Sequence, residues 1–263
     1  IVSVASIVGP KEANGPLAQY FDQCLDDEFW GEKTWEKSES KIIKETVNMA
    51  ISKSGIASSD IEYCFAGDLL NQCISSSFGL RELNIPFIGI FGACSTFVEG
   101  LSLGAVFTES CAQNVICAAS SHFCSAEKQF RFPLELGNQR PPTSQWTVTG
   151  AGSAILSKTG NGPYITHITS GKIVDMGIKD ANNMGAAMAG AAAHTLNDYF
   201  KNSEYSPKDF DLIVTGDLGI YGKEILKDFM KEEYKIELGN NYNDCGVILY
   251  DLEKQKDVMA GGS

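Results

Sequence analysis

Between residues 83 and 126 the chain carries only two charged side chains, Glu99 and Glu109. A stretch so poor in charge has to be built into a core rather than laid over a surface. Its pattern reads as a strand over 86–91, a tight turn at Gly92-Ala93-Cys94, a helix over 95–107 and a strand over 114–119. A strand–helix–strand unit this apolar predicts cover on both sides, with the helix held between sheets. The fold class that follows is α/β.

The flanks of this centre resemble each other. Residues 40–54 place Ile43, Val47, Ala50 and Ile51 at helical spacing, with Gly55 as the stop. A strand over 60–65 follows and ends in Gly67-Asp68-Leu69. The order returns as a helix over 188–203, a strand over 209–214 and Gly216-Asp217-Leu218. Asp60, Gly67, Asp68 and Leu69 each have an identical residue 149 positions later. The expectation is a duplicated α/β domain with halves at 1–160 and 161–263. Further strands are expected over 1–9, 148–157 and 164–174. The loop 130–147 holds three of the eight prolines and two of the three arginines, and its length suggests a lid or binding loop. Two readings stay open for 175–188, an interdomain linker and a mobile cover.

Charge narrows the function. There are 33 acids against 21 bases, a formal net charge of −12, and the only arginines are Arg81, Arg131 and Arg140. That balance argues against nucleic-acid binding and repels a free anionic substrate at long range. The eight cysteines show no CxxC pair and sit largely in apolar or small-residue runs, which reads as reduced, cytosolic-type thiols with no zinc site. No apolar run is long enough to span a membrane, and no signal peptide is visible. The chain opens at Ile1 inside an expected strand, so native sequence is expected to precede it. No cofactor or metal is expected.

The stretch Phe91-Gly92-Ala93-Cys94-Ser95-Thr96 carries the chemistry. An apolar strand ends in small residues, then a cysteine, then a helix. Small residues permit the sharp turn, and a helix N-terminus favours thiolate. Cys94 is either a nucleophile or a residue packed in a tight turn, and the local pattern leaves both open.

A cysteine at the head of a central helix, two similar halves and a Thr149-Gly150-Ala151-Gly152-Ser153 strand resemble the thiolase superfamily. Val8-Gly9-Pro10-Lys11-Glu12, Ala66-Gly67-Asp68-Leu69-Leu70-Asn71-Gln72, the Cys94 segment, Ser120-Ser121-His122, Gln129-Phe130-Arg131 and Thr215-Gly216-Asp217-Leu218 resemble the stage V sporulation protein AD family within it. The resemblance implies a layered αβαβα arrangement of two halves, the second cut short after Ser263. It implies a spore-former protein that binds dipicolinic acid and helps move it, with calcium, into the forespore. It also implies a homodimer, with the 114–119 strand as the expected edge. The partners it implies are the other stage V sporulation A membrane proteins, and the location is peripheral, at the forespore or spore inner membrane.

Condensing enzymes of the superfamily place a histidine just after a second-half strand. Here that position reads Thr215-Gly216-Asp217, and His122, His167 and His194 all lie outside the motif. The expectation is a degenerate, non-catalytic site. The alternative is an acyltransferase or condensing enzyme with Cys94 as nucleophile. For a planar dicarboxylate the expected contacts are Cys94, Ser121, His122, Arg131 and Asp217. Arg131 would supply a bidentate fork, His122 a ring donor, and Ser120 and Ser121 neutral donors. Each has a plain alternative: a salt bridge for Arg131, a satisfied structural role for His122, close packing for the serines and turn capping for Asp68 and Asp217. A neutral calcium chelate escapes the charge penalty that a bare dianion meets, so the chelate is the expected ligand.

Overall fold

The computed structural model describes residues 1–130 and 140–263. They form two compact units: the described residues of Ile1–Asn138 with Thr147–Thr166, and those of Gln139–Trp146 with His167–Ser263.

The first unit runs β1 (Ser3–Val8), β2 (Gln23–Cys24), α1 (Trp35–Ser54), β3 (Tyr63–Asp68), α2 (Ile74–Leu80), β4 (Phe87–Gly89), α3 (Thr96–Ser110), β5 (Asn114–Ser121), α4 (Phe123–Phe130) and β6 (Gly150–Ser157). The strands make one mixed sheet in the order β2-β1-β6-β5-β3-β4. β3, β4 and β5 are parallel, and β6 lies antiparallel between β1 and β5. The 114–119 strand is therefore not an edge. Both of its sides are bonded, to β3 and β6, and the edge near the expected cysteine turn is β4.

α1 starts earlier than its apolar stripe suggests because Thr34 caps it, its Oγ1 accepting from Lys37 N at 3.3 Å. It ends as expected at Gly55, which takes the left-handed conformation at φ 70°. Its stripe Ile42, Ile43, Val47 and Ala50 is buried with Ile7, Cys64, Ala66, Ile116, Ala118 and Ile155 on one face of the sheet. The other face holds Phe65, Val115, Cys117, Ala154 and Leu156 against Phe97, Leu101 and Phe107 of α3. α3 comes close because it presents glycine to the sheet. A Cβ at Gly104 would press on Cys117 Sγ at 2.8 Å, and Cys117 Sγ lies 3.1 Å from Gly100 O. The outward side of α3 leaves Val98 and Val106 exposed.

The second unit contains α5 (Met184–Asn202), β7 (Ile213–Thr215), α6 (Gly219–Tyr234), β8 (Tyr242–Asp244) and α7 (Cys245–Ile248), with β7 and β8 parallel. Its core gathers Ala189, Ala193, Leu218, Leu226 and Met230. The 149-residue offset recurs in the element boundaries. α1 begins at Trp35 and α5 at Met184, and short 3-10 turns end at Asp60 and Asp209, both pairs 149 residues apart.

The strand expected over 164–174 is absent. Those residues join no ladder, Ile173 is fully exposed, and the second sheet consists of β7 and β8 alone among the described residues. Alternation without a partner edge does not make a strand. Residues 175–183 form no regular element either. Asn183 caps α5, its Oδ1 accepting from Ala186 N at 3.2 Å, so the last part of the 175–188 segment is helix. The described part of the 130–147 loop is pinned rather than lid-like. Trp146 N donates to Gly261 O and Ser263 N to Trp146 O, each at 2.8 Å, while Gln145 is buried.

Candidate functional site

The parallel strands β3, β4 and β5 end at one side of the first unit's sheet, where loops commonly build binding sites. β4 leads into a 3-10 turn, Ala93–Ser95, which opens α3. Ala93 has φ 48°, a conformation costly for a residue with a Cβ. The turn is overdetermined: Ser95 Oγ donates to Gly92 O at 2.8 Å, Thr96 Oγ1 donates to Ala93 O at 2.9 Å, and Gly92 N donates to Thr96 Oγ1 at 3.1 Å. Cys94 sits in it, half-buried. A second strained turn lies next to it. Gln72 and Cys73, at φ 62° and 51°, follow β3, and Cys73 Sγ lies 3.3 Å from Ile90 O. Sequence reasoning missed this turn, because neither residue type announces a positive φ.

The run Ser120-Ser121-His122 is divided by the strand's alternation. Ser121 falls in the Val115 and Cys117 set, on the α3 side that Cys94 shares, and its Oγ donates to Val148 O at 2.6 Å. Ser120 falls on the α1 side, where its Oγ donates to Glu39 Oε1 at 3.1 Å. His122 is fully buried. Its Nε2 meets Glu28 O at 2.8 Å and its Nδ1 accepts from Cys124 N at 3.2 Å, which assigns the neutral tautomer with the proton on Nε2. Burial holds its pKa below the usual histidine range. Both ring nitrogens are thus committed within the fold.

Glu39 is the buried group the sequence reading passed over. Its carboxylate accepts from Ser120 and from Ser125 Oγ at 2.8 Å. Burial, then the charge of Asp68, pushes its carboxyl up to about 8. The signal was present: Glu39 stands one turn before Ile43 on the buried stripe of α1. Asp68 accepts from Leu70 N at 2.9 Å and from Ser76 N and Oγ at 2.7 and 2.6 Å, a turn-capping role.

Asp217 belongs to the second unit. It has φ 63°, and its carbonyl accepts from Gln145 Nε2. The carboxylate that organises this loop is Asp244. It is fully buried and accepts from Thr215 Oγ1, Leu218 N, Gly219 N and Gly246 N at 2.8 to 3.0 Å. His167 meets Tyr199 and Tyr205 edge-on, and His194 Nδ1 lies 3.2 Å from Asp198 Oδ2 on α5. Arg131 lies outside the described residues. Arg140 donates to Gln145 O and stands 5.1 Å from the centre of the Trp146 ring. Among the described residues no cluster of three metal-ligating side chains forms, and no helix is long and apolar enough to cross a membrane.

Residues 1–263 match the model of the family described as stage V sporulation protein AD (SpoVAD). The stage V sporulation protein AD of Bacillus subtilis (strain 168) is 41% identical over 262 residues, covering 99% of this chain and 77% of that protein. The chain belongs to the stage V sporulation protein AD family. Solved structures similar to it include a β-ketosynthase and a 3-oxoacyl-[acyl-carrier-protein] synthase III. A priming β-ketosynthase from the R1128 polyketide pathway aligns with a TM-score of 0.59 at 12% identity, over 94% of this chain and 81% of that one. The 3-oxoacyl-[acyl-carrier-protein] synthase III of Aquifex aeolicus VF5 aligns with a TM-score of 0.55 at 12% identity, over 98% and 91%. A variant of OleA from Xanthomonas campestris gives 0.60 at 12%, over 98% and 88%. At such identities the likeness is one of fold, and the fold is thiolase-like.

Proposed function

We propose that this chain is a non-catalytic thiolase-fold protein that binds dipicolinic acid, preferentially as its calcium chelate, and supports its uptake into the forespore during sporulation. Membership of a sporulation family along the whole chain supports the setting. The observation that carries the absence of catalysis is the use made of histidine. β7 runs into Thr215-Gly216-Asp217, where the superfamily resemblance expects a histidine. His122 is buried with both nitrogens engaged, and His167 and His194 serve the second unit's own packing. An aspartate at the position after β7 opposes the enolate charge that a condensing reaction develops.

Within this reading Cys94 is a vestigial nucleophile that contacts ligand, Ser121 lines the same side of the sheet with its proton committed to Val148 O, and Arg131 supplies the carboxylate fork. The net charge of −12 disfavours the bare dianion and leaves the neutral chelate without that penalty. His122 acts by fixing the β5–α4 junction rather than by touching ligand. A second copy of the chain and the other stage V sporulation A membrane proteins are the partners, at the forespore or spore inner membrane.

The strained turn that presents Cys94 at the head of α3 favours a second reading, an acyltransferase with Cys94 acylated. Incubation with acyl thioesters followed by intact-protein mass spectrometry separates the two. No stable adduct, together with a thermal shift on adding dipicolinate, is expected. An adduct that disappears in Cys94→Ala would establish the enzyme instead.

A further inference from the structure

Glu39 is fully buried, yet it bonds two separate elements. Ser120 at the end of β5 and Ser125 in α4 both donate to its carboxyl, and Ser125 Oγ also reaches His122 O at 3.1 Å. Ser75 of α2 lies beside the same carboxyl, with its Oγ outside hydrogen-bond geometry. Among the described residues no lysine or arginine pairs with Glu39. Lys128 of α4 pairs instead with Glu36, at 2.8 Å.

We propose that Glu39 is a proton-dependent latch: protonated, it ties α4 and the end of β5 to α1, and ionised, it releases them. In the protonated form the group satisfies its serines without placing a second charge beside Asp68. Loss of the proton leaves two carboxylates in one dry pocket, with hydroxyl donors for Glu39 and no counter-ion. The least costly relief is to let water in, and α4 is the short element whose departure opens the pocket. The other ties that α4 must give up include Lys128 to Glu36, Phe123 N to Thr149 Oγ1, and the bond from Asn71 N to Gln129 Oε1.

The other ionisable groups around the pocket do not explain such a transition. β1, β6 and α2 carry none. β3 brings Asp68 and Cys64, whose thiol burial pushes up to about 12. Cys73, ahead of α2, is also raised by burial. α4 brings Glu127, Lys128 and Cys124, the last raised to about 11. His122 at the β5–α4 junction is held neutral by burial, and Glu36 on α1 is engaged with Lys128.

Hydrogen exchange on the whole chain from about pH 6.5 to about pH 9.5, corrected for intrinsic rates, tests the latch. Amides of α4 and the end of β5 are expected to exchange at least about tenfold faster at the upper end, while those of β1 and β6 hold steady. Glu39→Gln, which keeps the shape and removes the charge, should abolish the rise. Unchanged α4 exchange in the wild type, or the same rise in Glu39→Gln, would overturn the proposal. Should that variant not fold, infrared difference spectra of the wild type decide. Loss of one protonated-carboxyl band in step with the α4 exchange supports the latch, and no such loss refutes it.

Discussion

The two Gly-Asp-Leu corners share a sequence, a preceding helix and a preceding 3-10 turn, yet they are wired differently. At the first, Gly67 lies so close to β4 that a Cβ would run into the carbonyl of Ile90, and the Asp68 carboxylate takes three hydrogen bonds from the turn it precedes. At the second, Gly216 is exposed, Asp217 takes a left-handed conformation, and the loop is held by Asp244, 27 residues further on. The shared frame is held by different hydrogen bonds in the two places. A residue's role in one half is therefore not transferable to its twin by offset alone, and this matters most at Asp217, where superfamily logic expects a catalytic group.

The contrast is open to direct attack by substitution. Gly67→Ala should cost about 3 kcal/mol or more, because backbone of β3 and β4 must part, whereas Gly216→Ala should cost under about 1 kcal/mol. Equal costs in urea denaturation would mean the corners are alike after all. Asp244→Ala strips buried backbone donors of their acceptor and should cost about 3 kcal/mol. Asp68→Ala should cost less, about 1–2 kcal/mol, because it also relieves the neighbouring Glu39. A larger loss at Asp68 than at Asp244 would reverse the assignment of the organising carboxylate.

The next effect depends on pH. Glu39 has a folded-state pKa raised from 4.5 to about 8, so the folded chain holds a proton that the unfolded chain releases. Its contribution is present in full below about pH 4.5 and is lost as pH rises toward and through about 8. Denaturation midpoints should fall across that window in the wild type and flatten in Glu39→Gln. The smallest effects concern helix ends. α1 ends on Gly55 and α6 on Lys235, both left-handed. Gly55→Ala should destabilise by about 1 kcal/mol and Lys235→Gly stabilise by about 0.5–1 kcal/mol.

Much of the frame was legible because periodicity and stops report it locally. The apolar run fixed β4, α3 and β5 in order, and Gly55 closed α1 where expected. Pairing was not legible. β5 lies inside the sheet because β6, from more than 20 residues later, pairs with it, and the 164–174 run stays unpaired for want of a neighbour. At the site, the cysteine turn could be read from its small residues. The strain at Gln72-Cys73 could not, nor could the division of Ser120 from Ser121, which depends on strand register. Glu39 was hidden by its charge: a glutamate on an apolar stripe is easily taken for a surface residue until its serine partners from two other elements are seen.

The central claim, a thiolase-like frame used to bind rather than to catalyse, meets its most direct test in calorimetric titration of the chain with dipicolinate, with and without equimolar calcium. Saturable binding that is tighter for the calcium chelate is the expected result. Absence of binding in both titrations, or equal or tighter binding of the calcium-free dianion, would contradict it.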